Sequence, residues 1–244
     1  MRKALFYLLS WAFILLGLPL LAAVVILSRF DLAALGTRIT DVYLALFARL
    51  MLGLTGSTVE VEGLDQIPQG PVLFISNHQG HFDSAVILAH IRKEKAFVAS
   101  SNASKFPIFR TWFHYAHTIY LDKDNIRQNY KAMQKAEEVL DAGRSVVIYP
   151  EGVISAGPQL GPFKKGAFKP ALIRGVPIVP LIIDGTWKIM GEHGQTIQPA
   201  RILARILPPV RTEGLSRREQ QALPDQISTS IRTGLEELRL AARL

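Results

Sequence analysis

Two histidines and a carboxylate stand together in the run Asn77-His78-Gln79-Gly80-His81-Phe82-Asp83, directly after the apolar segment Pro71 to Ile75. A histidine oriented by a carboxylate is a common means of making a hydroxyl nucleophilic near neutral pH. The carboxylate fixes the tautomer and supports the imidazolium once the proton arrives. His78 and Asp83 are five positions apart, about 140° around a helix of roughly 3.6 residues per turn. They meet only if the turn folds back on itself. A metal cluster is the competing reading of His78-x-x-His81-x-Asp83. The spacing does not match the helical His-Glu-x-x-His arrangement and no further ligand lies at an obvious spacing, so no metal is expected. His81 is expected to be structural or solvent-facing.

A second chemically suggestive place is Glu151-Gly152, which follows the apolar run Ser145 to Tyr149. A carboxylate there is hard to explain as packing, although it could cap backbone amides. Gly152, Gly157 and Gly161 either offer backbone N–H groups to a phosphate or oxyanion or form a plain surface loop. Ser76 and Ser155 lie in no Gly-x-Ser-x-Gly elbow and make poor nucleophile candidates. Phe74, Phe82, Trp112 and Phe113 are apolar enough to wall an acyl tunnel, with core packing as the alternative for each.

The elements that must position these residues follow from the patterning. Short β-branched or aromatic runs at Thr58 to Val61, Val72 to Ile75, Ala96 to Ser100, Thr118 to Leu121, Ser145 to Tyr149, Ile178 to Ile183 and Ile202 to Ile206 read as strands. Helical stretches alternate with them: Ser84 to Arg92 with Asp83 as N-cap, Ile126 to Ala142 capped by Asn125 and ended by Gly143, and Gly166 to Arg174. Such alternation predicts an α/β fold with a single mixed, largely parallel sheet flanked by helices. His78 and Glu151 would then both lie at carboxyl ends of strands, where ligands collect in such folds. Ser216-Arg217-Arg218-Glu219 is a capping box, and Ile227, Ile231, Leu235 and Leu238 give the following helix a packing face. A membrane-touching basic face is the other reading of that helix.

Residues Ala4 to Ser28 carry no charged side chain, and at ~1.5 Å per helical residue they can cross a bilayer. A retained membrane anchor is expected, because the run exceeds the core of a secretory signal and lacks a small-x-small exit. Asp31 to Leu54 is apolar but interrupted by Arg38, Asp41 and Arg49, so it is expected to lie at the membrane surface. The division is thus a membrane-associated segment over 1–55 and a second domain over 56–244. The positive-inside bias puts that domain on the cytoplasmic face, with either a one-leaflet hairpin or an outside N-terminus. There is no cysteine, which excludes disulfides and thiol nucleophiles. The 28 basic residues against 20 acidic ones give a net charge of +8. They are dispersed rather than interleaved with aromatics, which points to an anionic membrane face or small substrate and away from nucleic acid.

Asn77-His78-Gln79-Gly80-His81-Phe82-Asp83 resembles the NHxxxxD motif of the glycerolipid acyltransferases, typified by the 1-acylglycerol-3-phosphate acyltransferases. Later blocks resemble that family in the same order: His117 to Lys123, Tyr149-Pro150-Glu151-Gly152-Val153-Ile154-Ser155, Pro162 to Phe168 and Val176 to Leu181. The resemblance covers about residues 55 to 210. It implies a glycerol-3-phosphate acyltransferase-like fold and an N-terminal membrane-associated helix pair. It further implies transfer of an acyl group from acyl-CoA or acyl-carrier protein to the sn-2 hydroxyl of 1-acylglycerol 3-phosphate, without a cofactor and without a covalent acyl-enzyme. His78 would be the general base, Asp83 its orienter, and Asn77, Lys123, Glu151, Gly152, Lys164 and Lys165 the substrate-binding set. Two positions depart from the family pattern. Lys123 stands for an arginine and loses its bidentate fork, and Ile154 replaces a second arginine outright. Either Lys164, Lys165 or Lys105 substitutes, or the acceptor is another lysolipid. A non-catalytic lipid-binding protein on the same fold is the alternative from a different class.

Overall fold

The computed structural model describes residues 2–101, 107–122, 125–190 and 196–241. Among them, seven strands form one sheet in the order β1-β7-β6-β2-β5-β3-β4. They are β1 (Thr58–Glu62), β2 (Leu73–Ser76), β3 (Lys95–Ser100), β4 (Ile119–Leu121), β5 (Ser145–Ile148), β6 (Ile178–Asp184) and β7 (Arg201–Ile206). All neighbouring pairs are parallel except β6 with β7. The expected largely parallel, mixed sheet is therefore what the chain builds. Strands β2, β5 and β6 are buried along nearly their whole length, as befits the centre of a parallel sheet covered on both faces.

One face of the sheet is covered by α3 (Ala33–Thr55), α4 (Asp83–His90) and α8 (Trp187–Met190), and the other by α6 (Ile126–Asp141), α7 (Lys169–Arg174) and α9 (Arg217–Ala241). Asn125 caps α6 through its side chain, accepting from the Gln128 N–H, and Gly143 has φ +83° just past its end. Two expected helices shift. Asp83 is the first residue of α4, with Phe82 at the cap position and no side-chain cap bond. Gly166 lies in a 3-10 turn, Lys165–Phe168, that precedes α7. A further helix, α5 (Pro107–Tyr115), was not among the expected ones.

The N-terminal helices α1 (Arg2–Leu16) and α2 (Leu18–Leu27) are nearly continuous, and together Lys3–Leu27 is long and apolar enough to cross a membrane. Pro19 follows the break at Gly17, where a missing side chain lets the Tyr43 ring approach. Tyr43 donates to the Phe13 carbonyl at 2.9 Å and stacks on Trp112 at 4.1 Å. Leu8, Leu15, Leu16, Ile26 and Phe30 remain exposed, an apolar exterior suited to lipid. The Asp31 to Leu54 stretch, expected at the membrane surface, forms a helix with one face buried on the protein and Leu35, Val42 and Leu46 exposed. Its helix α3 buries Gly36, Thr40, Tyr43, Leu44, Ala48 and Leu52 and so bridges the apolar arm to the α/β domain. Trp112, considered above for an acyl tunnel, belongs to this same interface and is 2% exposed.

Candidate active site

Three adjacent strands, β6, β2 and β5, end side by side, and because they are parallel their carboxyl ends share one edge. Each end supplies one part of the site. From β2 comes the turn 77–82. Asn77 is 1% exposed, and its amide donates to the Ile183 carbonyl at 2.8 Å while accepting from the Ile183 N–H at 2.9 Å. A side chain thus extends the ladder between β2 and β6, leaving neither amide end for a substrate. Asn77, expected among the substrate-binding residues, holds the turn.

The turn does fold back. His78 Nδ1 lies 2.8 Å from Asp83 Oδ2. The same Oδ2 accepts the backbone N–H groups of Gln79 at 2.7 Å and Gly80 at 2.9 Å, and Oδ1 accepts the Thr186 hydroxyl. An oxygen already receiving two N–H donors acts as an acceptor toward the ring, which assigns the proton to Nδ1 and the lone pair to Nε2. Asp83 is fully buried while the His78 side chain is 17% exposed. Nε2 has no protein partner among the described residues. This explains why Asp83 fails as an N-cap: its carboxylate points back into the turn and not along its own helix.

From β5 comes Tyr149-Pro150-Glu151. Tyr149 lies flat on the His78 ring, with centroids 4.0 Å apart and planes 12° from parallel. Its hydroxyl meets Ser84 Oγ at 3.0 Å, and burial, then the Asp83 charge, hold the phenol well above its ordinary pKa. Glu151 uses both oxygens on backbone. Oε1 accepts the His78 N–H and Oε2 the Gly161 N–H, each at 2.7 Å. Burial raises its pKa and these two bonds oppose the rise. Glu151, expected among the substrate-binding residues, is thus a brace between the turn 77–82 and the loop after β5. The His78 carbonyl is fixed too, accepting from Ser155 N at 2.8 Å and Ser155 Oγ at 3.1 Å.

Gly152 N and Gly161 N are both engaged inside the protein, so neither is the phosphate or oxyanion donor considered above. A side chain at Gly152 would lie 2.7 Å from Lys164 Nζ, which places that ammonium beside the turn. Lys165 points elsewhere, into a groove between α6, α7 and α9, so of the two lysines only Lys164 is brought to this loop. Lys123 and Lys105 lie outside the described residues. Ile154 is half-buried, Ser76 is buried with its hydroxyl on the Asn77 carbonyl, and His81 faces solvent. Phe82 packs on Phe6 of α1 at 6.0 Å, so the apolar arm touches the turn that holds His78. Phe74 is core.

From β6 come Asp184, Gly185 and Thr186, a contribution that the sequence did not disclose. The three support Gln79 and Asp83. A hydroxyl one residue past a strand-ending glycine carries no sequence signature of its own; its place at the shared strand edge is the signal.

Several known proteins are similar to this chain. The curated relatives include the 1-acyl-sn-glycerol-3-phosphate acyltransferase of Limnanthes alba, 28% identical over 72% of this chain and 63% of its own. The chloroplastic 1-acyl-sn-glycerol-3-phosphate acyltransferase LPAT1 of Arabidopsis thaliana is 33% identical over 56% of this chain and 39% of its own. The chain thus spans less than two thirds of the length of these relatives. The crystal structure of the 1-acyl-sn-glycerophosphate (LPA) acyltransferase PlsC from Thermotoga maritima superposes with a TM-score of 0.79 at 26% identity, covering 98% of each chain. The acyltransferase family model matches residues 58–184, just over half of the sequence and all three strand ends that build the site, and the chain belongs to the acyltransferase family.

Proposed function

We propose that the protein is a membrane-bound O-acyltransferase that moves a fatty acyl group from an acyl thioester, acyl-CoA or acyl-carrier protein, to the sn-2 hydroxyl of 1-acylglycerol 3-phosphate, giving phosphatidate. The observation that carries this reading is His78, whose Nδ1 is bound to buried Asp83 while Nε2 has no protein partner among the described residues, in a turn whose Phe82 packs on Phe6 of the apolar helix. Nε2 takes the proton of the acceptor hydroxyl as its oxygen attacks the thioester carbonyl. The C–S bond then breaks and the imidazolium returns the proton to the departing thiolate, so the products are an ester and a free thiol. Asp83 keeps its charge throughout and supports the imidazolium. Tyr149 and Glu151 hold ring and backbone, and the Lys164 ammonium, whose position beside Gly152 supports the assignment, pairs with the acceptor's phosphate. The α/β domain faces the cytoplasm, where acyl thioesters are available, with Lys3–Leu27 in the bilayer. The segments 1–55 and 56–244 act as anchor and catalytic domain.

Ile154 favours a second reading within the same chemistry, a lysolipid acceptor other than lysophosphatidate, because an apolar side chain stands where the family carries an arginine. Purified protein, an acyl-CoA and a panel of lysolipids decide between them through thiol release. Fastest turnover with lysophosphatidate supports the leading reading, strong preference for a phosphate-free acceptor replaces it, and binding without turnover on any acceptor leaves a lipid-binding protein.

A further inference from the structure

Arg239 lies in the last turn of α9, outside the span matched by the family, yet it reaches the catalytic turn through two partners. Its Nε and Nη2 donate to Asp184 Oδ1 at 3.1 and 2.7 Å. Asp184 Oδ1 also accepts Gln79 Nε2 at 3.0 Å, and Gln79 Oε1 accepts the Gly185 N–H at 3.1 Å. Gln79 is 1% exposed, and its own N–H is one of the donors to Asp83. Nη2 of Arg239 further donates to the Pro158 carbonyl at 2.7 Å, in the loop whose Gly161 closes on Glu151. One guanidinium therefore joins the two segments that hold His78, the turn 77–83 and the loop 152–161. The guanidinium does this with its donors in a fixed plane, Nη2 bridging the two acceptors and Nε adding a second bond to Asp184, which a single ammonium would not reproduce in full.

We infer that Arg239 is a positioning residue for the His78 site, acting through Asp184 and Gln79 on one side and Pro158 on the other. The plain alternative is that Arg239 merely secures α9. That helix is already anchored by Ile227, Ile231, Leu235 and Leu238, and Gly234 lets it close on the Ile182 side chain. Its docking therefore does not depend on a half-buried guanidinium near its end.

The test uses the full chain in detergent or vesicles and two readouts, of which the kinetic one rests on the acyltransferase reading and the other does not. Arg239→Gln is expected to lower kcat with lysophosphatidate and acyl-CoA on the order of tenfold, with KM within about twofold, since small misplacements of a reacting group are costly. Arg239→Lys recovers part of the rate, and Arg232→Gln, an exposed cation on the same helix, has no effect. Amide hydrogen exchange should quicken in 77–83 and 152–161 while 126–141 stays unchanged. Combining Asp184→Asn with Arg239→Gln should cost no more than either alone. Unchanged kcat and exchange in Arg239→Gln overturn the inference, as does loss of protection throughout the chain with a large fall in melting temperature, which reduces Arg239 to packing. Should Arg239→Gln fail to fold, Asp184→Asn is read by the same criteria. A wild-type protein that turns over no lysolipid refutes the enzymatic reading, while the exchange comparison still decides the positioning role.

Discussion

Tyr149 lies parallel to His78 at 4.0 Å and is itself tied to Ser84 in the first turn of α4. The ring fixes the imidazole from the side that Asp83 does not reach. Tyr149→Phe keeps the stacked face and removes one hydrogen bond, worth about 1 kcal/mol, so activity should fall less than about fivefold. Tyr149→Ala removes the face and leaves a cavity costing about 3 to 5 kcal/mol. Its kcat should drop much further, on the order of 10²-fold by loss of orientation. Thiol release and thermal melting on both variants check this; equal rates would mean the stacking has no role in orienting the ring.

His78→Ala should lower kcat by about 10²- to 10⁴-fold, the span of general acid–base catalysis, with circular dichroism unchanged. Asp83→Asn should lose as much or more. An amide nitrogen in place of Oδ2 would meet the N–H groups of both Gln79 and Gly80 and leave two donors in the turn unpaired, and in place of Oδ1 it would meet the Thr186 hydroxyl. Thiol release persisting in His78→Ala would remove His78 from the mechanism.

Thr186 supplies a donor to Asp83 Oδ1 in a fully buried setting. A hydrogen bond to a charged group is worth about 1.5 to 3 kcal/mol. Thr186→Val, equal in shape, should therefore lose roughly tenfold or more in kcat, and Thr186→Ser should restore most of it. A Val variant as active as the Ser variant would show that Asp83 needs no support on that oxygen.

At the opposite edge of the sheet, Lys95 is buried and donates to the carbonyls of Ile91 and Lys93. Burial pushes its pKa down from 10.5 to about 8, partly opposed by Asp41. A folded-state value below the unfolded one gives a contribution present above pH 10.5 and lost as pH falls through about 8. Between those limits the unfolded chain holds a proton that the folded chain lacks, so stability rises with pH, by on the order of 3 kcal/mol in all. Urea unfolding across that window should show wild type gaining on Lys95→Met as pH rises. A constant difference would place the Lys95 titration at its ordinary value.

The strands were legible because β-branched runs at the sheet's centre leave little ambiguity, and His78 with Asp83 because a polar turn closing an apolar strand is hard to explain otherwise. Asp83 was misread as a cap because sequence shows a residue's place before a helix and not the direction of its carboxylate. Helix α5 escaped because its apolar residues, among them Phe109 and Trp112, pack against the N-terminal helices and not against the sheet, so it stands outside the α/β alternation. Asn77 and Glu151 looked like substrate ligands because buried polar groups and binding groups share residue types. Only the partner atoms, Ile183 in one case and His78 with Gly161 in the other, separate them. Arg239 was invisible for a related reason: its partners Asp184 and Pro158 lie far back along the chain.

The placement of β2 between β5 and β6 also sets an order of events during synthesis. The turn at His78 gains its brace from a residue 73 positions later and its ladder partner 106 positions later. Contacts of such separation form slowly, after the loop-closure entropy has been met. The apolar helix Lys3–Leu27 leaves the ribosome long before either partner exists. The turn that holds His78 therefore stays without its brace and its ladder partner while the apolar helix is already made, and is complete only once β6 has closed the sheet beside it.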